Sequence, residues 1–184
     1  MKKIVIKKNE EKIIPILWVG KESELSYDIK LAGDGASIKF LGLLIGKENQ
    51  SLNLSIRVDH IGKNTKSNVV IKGALFDTAR VDIDGLTKIE KGAKGTNAWL
   101  GAHILLLSEK AKGKAVPSLE ILENDIKAGH ASTVGRINDL EMFYLMSRGL
   151  SKDIAKSMIV NGFLQSMVNE FPESLAKKAN KIIQ

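Results

Sequence analysis

Leu52-Asn53-Leu54-Ser55-Ile56-Arg57-Val58-Asp59 alternates apolar and polar residues without a break. A period of two sends successive side chains to opposite faces, so this stretch predicts a strand with one buried face. Similar runs lie on both sides of it. Upstream they are Lys3–Lys7, Lys12–Val19, Leu25–Leu31 and Ser37–Ile45. The alternating strand itself continues to Ile61. Downstream come Ser67–Phe76, Ala79–Ile83, Leu86–Ile89, Ala98–Leu107, Ser118–Leu122 and Asp125–Ala128. Turn formers such as Gly62, Gly73, Gly85 and Gly92 punctuate the series. No strict repeat is visible, and no helical period interrupts the runs. Many short strands in one uninterrupted region fit a sandwich, a closed barrel or a β-helix whose turns vary in length.

The period changes near residue 136. Asn138 stands three positions before Glu141, a capping-box-like start, and Leu140, Phe143, Tyr144 and Met146 follow it. Arg148-Gly149 has the form of a helix C-terminus. Ser151 opens a second helix. Its predicted apolar stripe is Ile154, Met158, Phe163, Met167 and Phe171, with Pro172 as the stop. A lysine-rich third helix is predicted from Ser174 to Ile183. The expectation is a β core over residues 1–136 and a small helical domain over 137–184.

Composition narrows the function classes. With 184 residues and 43% hydrophobic content, the chain can bury a core without disulfide or metal support. It contains no cysteine, which removes a zinc ribbon, a thiol nucleophile and a self-sufficient thiolate cage for an iron–sulfur cluster. The net charge of +7 comes from 24 Lys and only 4 Arg, spread along the chain, with 5% aromatic residues. That pattern is a solvated basic surface rather than a nucleic-acid reader. The basic start MKKIVIKKNEEK is too polar for a secretory signal, and no stretch approaches the ~18 apolar residues of a membrane span. The expected compartment is the cytoplasm.

Catalytic motifs are missing. There is no P-loop, no dinucleotide fingerprint, no His-Glu-x-x-His and no nucleophile elbow. His60, His103 and His130 are far apart in sequence, and a solvated strand face accounts for Asp82 and Asp84. His130, in Asp125-Ile-Lys-Ala-Gly-His130, is the one histidine whose setting suggests a ligand or proton carrier.

Four passages resemble the SufB/SufD family, core components of the SUF machinery for iron–sulfur cluster assembly. Val58-Asp-His-Ile-Gly-Lys-Asn-Thr-Lys-Ser67 with Val70-Ile-Lys-Gly-Ala-Leu75 is similar to its histidine–Asn-Thr–Ser–Lys-Gly pattern. Asn97-Ala-Trp99 with Leu105-Leu-Leu-Ser-Glu109 resembles Asp-Ala-Tyr followed by Leu-Leu-Leu-Ser. Pro117-Ser-Leu-Glu-Ile121 and Asn124-Asp-Ile-Lys127 lead into His130-Ala-Ser-Thr-Val-Gly135, which resembles Lys-Cys-Ser-His-Gly-Ala-Thr-Val-Gly. Glu141-Met-Phe-Tyr-Leu-Met-Ser-Arg-Gly-Leu150 is close to Leu-Phe-Tyr-Leu-x-Ser-Arg-Gly-Ile.

The resemblance implies a right-handed parallel β-helix followed by a small C-terminal α-helical domain. It also implies a scaffold without catalysis of its own, a short form closer to SufD. Such a protein would pair with itself or another SufB/SufD-type subunit and dock a SufC-like ABC ATPase through its helices. Phe143, Tyr144, Arg148 and Gly149 are the candidate docking residues. His130 is the candidate iron–sulfur ligand, with His60 and Asp125 behind it. Two departures matter. Ala128 stands where the family often has cysteine, and Ala131 where the SufB branch has glutamate. Clusters demand mostly soft thiolate ligands, so none is expected to bind stably to this chain alone, and one is expected only transiently in a complex. The alternatives are a β-helical protein-binding module without metal function and, further off, a polysaccharide-acting β-helix enzyme.

Overall fold

The computed structural model describes residues 1–183, in which ten strands precede three helices. The strands are β1 (Lys2–Ile6), β2 (Glu11–Trp18), β3 (Glu24–Leu31), β4 (Ser37–Gly46), β5 (Ser51–His60), β6 (Lys66–Leu75), β7 (Arg80–Ile89), β8 (Thr96–Leu106), β9 (Lys112–Ile121) and β10 (Ile126–Arg136). Every pairing between them is parallel. Odd strands form one sheet in the order β1-β3-β5-β7-β9, and even strands form the other in the order β10-β8-β6-β4-β2. The chain therefore visits the two sheets in turn and climbs one coil per pair of strands. This is a parallel β-helix, and the sandwich and barrel alternatives fall away.

Alternation explains the core. Leu52, Leu54, Ile56 and Val58 of β5 are buried between the sheets, while Asn53, Ser55 and Arg57 face out. In-register stacking repeats this on neighbouring coils, so Phe40, Val69 and Leu100 occupy one inward row of the even sheet. β4 departs from the pattern. Its Phe40-Leu-Gly-Leu-Leu-Ile45 run is buried on both faces, because the helices cover its outside.

Stacked residues lie 25 positions apart between β1 and β3 (Lys2 beside Tyr27), 29 between β3 and β5 (Glu24 beside Asn53) and 32 between β7 and β9 (Arg80 beside Lys112). The variable offset hides the repeat in the sequence. The corners show it better. Asn64 has φ +56° and Gly95 φ +73°, and a Cβ on Gly95 would stand 2.2 Å from Asn64 Oδ1. A left-handed residue is needed at each level, and glycine relieves the crowding at the second.

Three predicted boundaries are corrected. Ala79–Ile83 and Leu86–Ile89 are one strand, β7, running straight through Gly85. Glycine is required there by packing, since a Cβ would come within 2.8 Å of Leu100 Cδ1 on the opposite sheet. Gly73 likewise lies inside a strand, β6. The strand expected at Ser118–Leu122 begins at Lys112, and the one expected to end at Ala128 continues to Arg136. Both belong to the last coil, where each face is at least partly exposed, so no apolar period marks them.

The helices are α1 (Asp139–Ser147), α2 (Lys152–Val168) and α3 (Glu173–Ile183). Asn138 and Ser151 cap α1 and α2, each side chain accepting a backbone N–H, and Gly149 with φ +91° ends the first. α2 buries Val160, Leu164, Met167 and Val168 against Leu41, Leu43, Ile45 and Ala74 of the even sheet, and Ala155 is buried nearer its start. The predicted stripe is thus partly wrong, because Ile154 and Met158 face solvent. Apolar residues occur all round α2, so periodicity alone did not select its buried side. The helix also stops at Val168, before Phe171 and Pro172.

Candidate functional site

His60 closes β5 and is completely buried. Its Nδ1 and Nε2 lie 2.8 Å from Thr65 Oγ1 and 2.8 Å from Ser67 Oγ. The hydroxyl protons fix the tautomer. Thr96 donates to the Ala93 carbonyl at 2.7 Å, and Thr65 donates to Thr96 or to the Gly62 carbonyl. Thr65 can then only accept from His60 Nδ1–H, and Nε2 accepts from Ser67. Burial lowers the imidazole pKa to about 4, so the ring is neutral near pH 7. Both ring nitrogens are taken by hydroxyls of the chain's own corner.

His130 has a different setting. It lies at the centre of β10, level with Leu100, Val69 and Phe40, so its side chain leaves on the interior side of the last, uncovered coil, and it is exposed. Asp125 is exposed at the preceding corner, where its carbonyl accepts the Gly95 N–H at 2.7 Å. Among the described residues no three His, Asp or Glu side chains come together in a way that could hold a metal ion.

α1 carries the docking candidates and has no buried residue. Leu140, Phe143 and Tyr144 are 75%, 70% and 57% exposed. Between α1 and α2 runs a groove of about 430 Å³ lined by Leu140, Glu141, Tyr144, Leu145 and Ile159. Arg148 sets its guanidinium 5.3 Å from the centre of the Tyr144 ring, with Nη2 3.4 Å from the phenol oxygen. Gly149 lets the chain turn immediately behind this pair. Tyr144, Arg148 and Gly149 are thus grouped at one end of α1, while His130, His60 and Asp125 belong to the β-helix.

The outer face of the even sheet holds groups that sequence reasoning passed over. Trp99 is 43% exposed and leans over Gly129 and Gly101, where an added Cβ would stand 3.0 and 3.1 Å from its ring. His103 Nδ1 lies 2.9 Å from Thr133 Oγ1 of β10. Burial, and then the charge of Lys72, lower the His103 pKa. The alternation Trp99-x-Gly101-x-His103 puts all three on one face and was the available signal.

The family model for the SUF system FeS cluster assembly SufBD core domain matches residues 7–163, from the residue after β1 into α2. The chain belongs to the SufBD family. It is 38% identical over 155 residues to SufD of Bacillus subtilis, covering 84% of this chain and 36% of that protein. Against SufB of the same organism it is 29% identical over 154 residues, covering 84% and 33%. A SufBD family protein of Mycobacterium tuberculosis is 30% identical over 167 residues, covering 90% and 20%. This SufBD chain therefore spans about a third or less of these relatives' length, and of the Bacillus pair it is nearer to SufD. Within the SufBD match, Ala128 and Ala131 flank His130 on the exposed last strand.

Proposed function

We propose that this protein is a non-catalytic companion subunit of SUF-type iron–sulfur cluster assembly, working in the cytoplasm. It docks a SufC-like ABC ATPase through α1 and pairs with itself or another SufB/SufD-type subunit through β10. The observation that carries the docking is α1 itself, a helix with no buried residue and a row of exposed apolar side chains ending at the Tyr144–Arg148 pair. Aromatic residues and arginine dominate binding energy at protein interfaces.

The pairing edge is argued by comparing the four edge strands. β1 is short and begins with Lys2 and Lys3, β2 contains Pro15, and β9 contains Pro117 with Lys112 and Lys114. These features block strand addition. β10 has Ala128-Gly-His-Ala-Ser-Thr-Val-Gly135 at its centre, with neither charge nor proline. It is the unguarded edge, and it carries His130. The nascent cluster is cargo, which His130 would touch only beside thiolates supplied by the other subunit. No nucleic acid or membrane takes part, and among the described residues no helix is long and apolar enough to cross a membrane.

Arg148→Glu tests the docking. The variant should lose co-purification with the ATPase while its thermal melt stays unchanged, and retained binding would exclude the segment. A second reading, a protein-binding β-helix without metal function, is favoured by Ala128 and Ala131 beside His130. It expects His130→Ala to leave cluster transfer by the assembled complex unaltered.

A further inference from the structure

We infer that Met146 and Met158 are oxidation sites that switch the exposed apolar surface of the helical pair. A peroxide-class oxidant turns their thioethers into sulfoxides, and the partner docked on that surface is released. The release rests on the docking proposed above, but the oxidation itself does not.

With no cysteine, the only oxidisable sulfurs of the chain are its five methionines. Beyond Met1 the β-helix has none. The other four, Met142, Met146, Met158 and Met167, all fall within α1 and α2. Exposure separates them. Met146 and Met158 are 44% and 51% exposed, Met142 is half-buried, and Met167 is buried in the cluster against the even sheet. Met146 stands three residues after Phe143, which stands three after Leu140, and Met158 stands four after Ile154. All five side chains are exposed, so each of these sulfurs ends an apolar row on its helix. Met146 is also two residues before Arg148, whose guanidinium rests on Tyr144.

The chemistry is a two-electron oxygen transfer. A sulfur lone pair attacks one oxygen of hydrogen peroxide, the O–O bond breaks and an S=O bond forms. The departing oxygen takes both protons as water, so sulfur is oxidised and peroxide reduced. A soft apolar contact becomes a polar one. Under a docked partner the new oxygen is desolvated without an assured donor, and affinity falls.

Hydrogen peroxide added to the full chain, with peptide mass spectrometry as readout, tests the sites without any partner. Met146 and Met158 should be converted at least about five-fold faster than Met167. Met167 reacting as fast as they do would overturn the inference. In the treated wild type, ATPase affinity should fall about ten-fold or more. It should return after incubation with methionine sulfoxide reductases of both stereospecificities. A Met146→Leu, Met158→Leu double variant keeps apolar side chains of similar volume at both positions. Its affinity should be equal before and after peroxide, whatever its starting value. Unchanged binding by the oxidised wild type, or an equal loss in the double variant, would overturn the switch. Failure of the ATPase to bind untreated wild-type protein would remove the docking reading instead. The apolar dye bis-ANS then decides the switch, because treatment should lower its binding to the wild type and not to the double variant.

Discussion

His60 is held neutral near pH 7 by its surroundings. Its folded pKa is lowered from 6.5 to about 4 by burial. The unfolded chain then binds a proton between these values while the folded chain does not, so stability rises with pH across that window. The contribution is complete above about pH 6.5 and lost as pH falls towards 4, a span of roughly 3 kcal/mol. Urea midpoints at pH 7.5 and pH 4.5 should therefore diverge in the wild type. His60→Gln, which can still meet Thr65 and Ser67, should narrow the gap, and an unchanged gap would assign the acid sensitivity to other groups. Sequence placed His60 on a strand end with Thr65 and Ser67 shortly after it, but gave no sign of Thr96, which comes from the next coil, 31 residues from Thr65. His103 was illegible for the same reason, since Thr133 lies 30 residues on.

Among elements, β5 was readable because one of its faces is dry and the other wet, and α1 because Asn138 and Gly149 mark its ends. β10 was cut short because an edge strand on a terminal coil has no dry face to impose a period. That lack of guarding makes a prediction. Ala131→Lys puts a charge at the centre of β10 on its outer face. It should convert the proposed dimer to monomer in size-exclusion chromatography with light scattering, while the circular dichroism melt of the monomer is kept. A dimer that survives the substitution would move the pairing surface away from this edge. The exposed Phe143 and Tyr144 belong to the same scale: the motif was visible in sequence, but the extent of their exposure became evident only in the structure, where α1 packs mainly on α2.

At the scale of the whole molecule, helices and β-helix share one apolar cluster, in which Leu41, Leu43, Ile45 and Ala74 meet Val160, Leu164, Met167 and Phe171. A chain ended at Arg136 should therefore aggregate through the uncovered face of β4, and Leu164→Ala should cost ~2–5 kcal/mol in urea unfolding. Soluble, fully cooperative truncated protein would mean that the helices are ornaments on a self-sufficient rod. The coil offset, from 25 residues (Lys2 beside Tyr27) to 32 (Arg80 beside Lys112), has another consequence. Losing a single residue inside a rung turns the remainder of that rung inside out, trading oily side chains for wet ones. Excising one entire circuit keeps every remaining side chain on its proper side and merely shortens the rod. Viable length changes in such a molecule come in steps of about thirty residues, the natural unit by which lineages could lengthen or trim it.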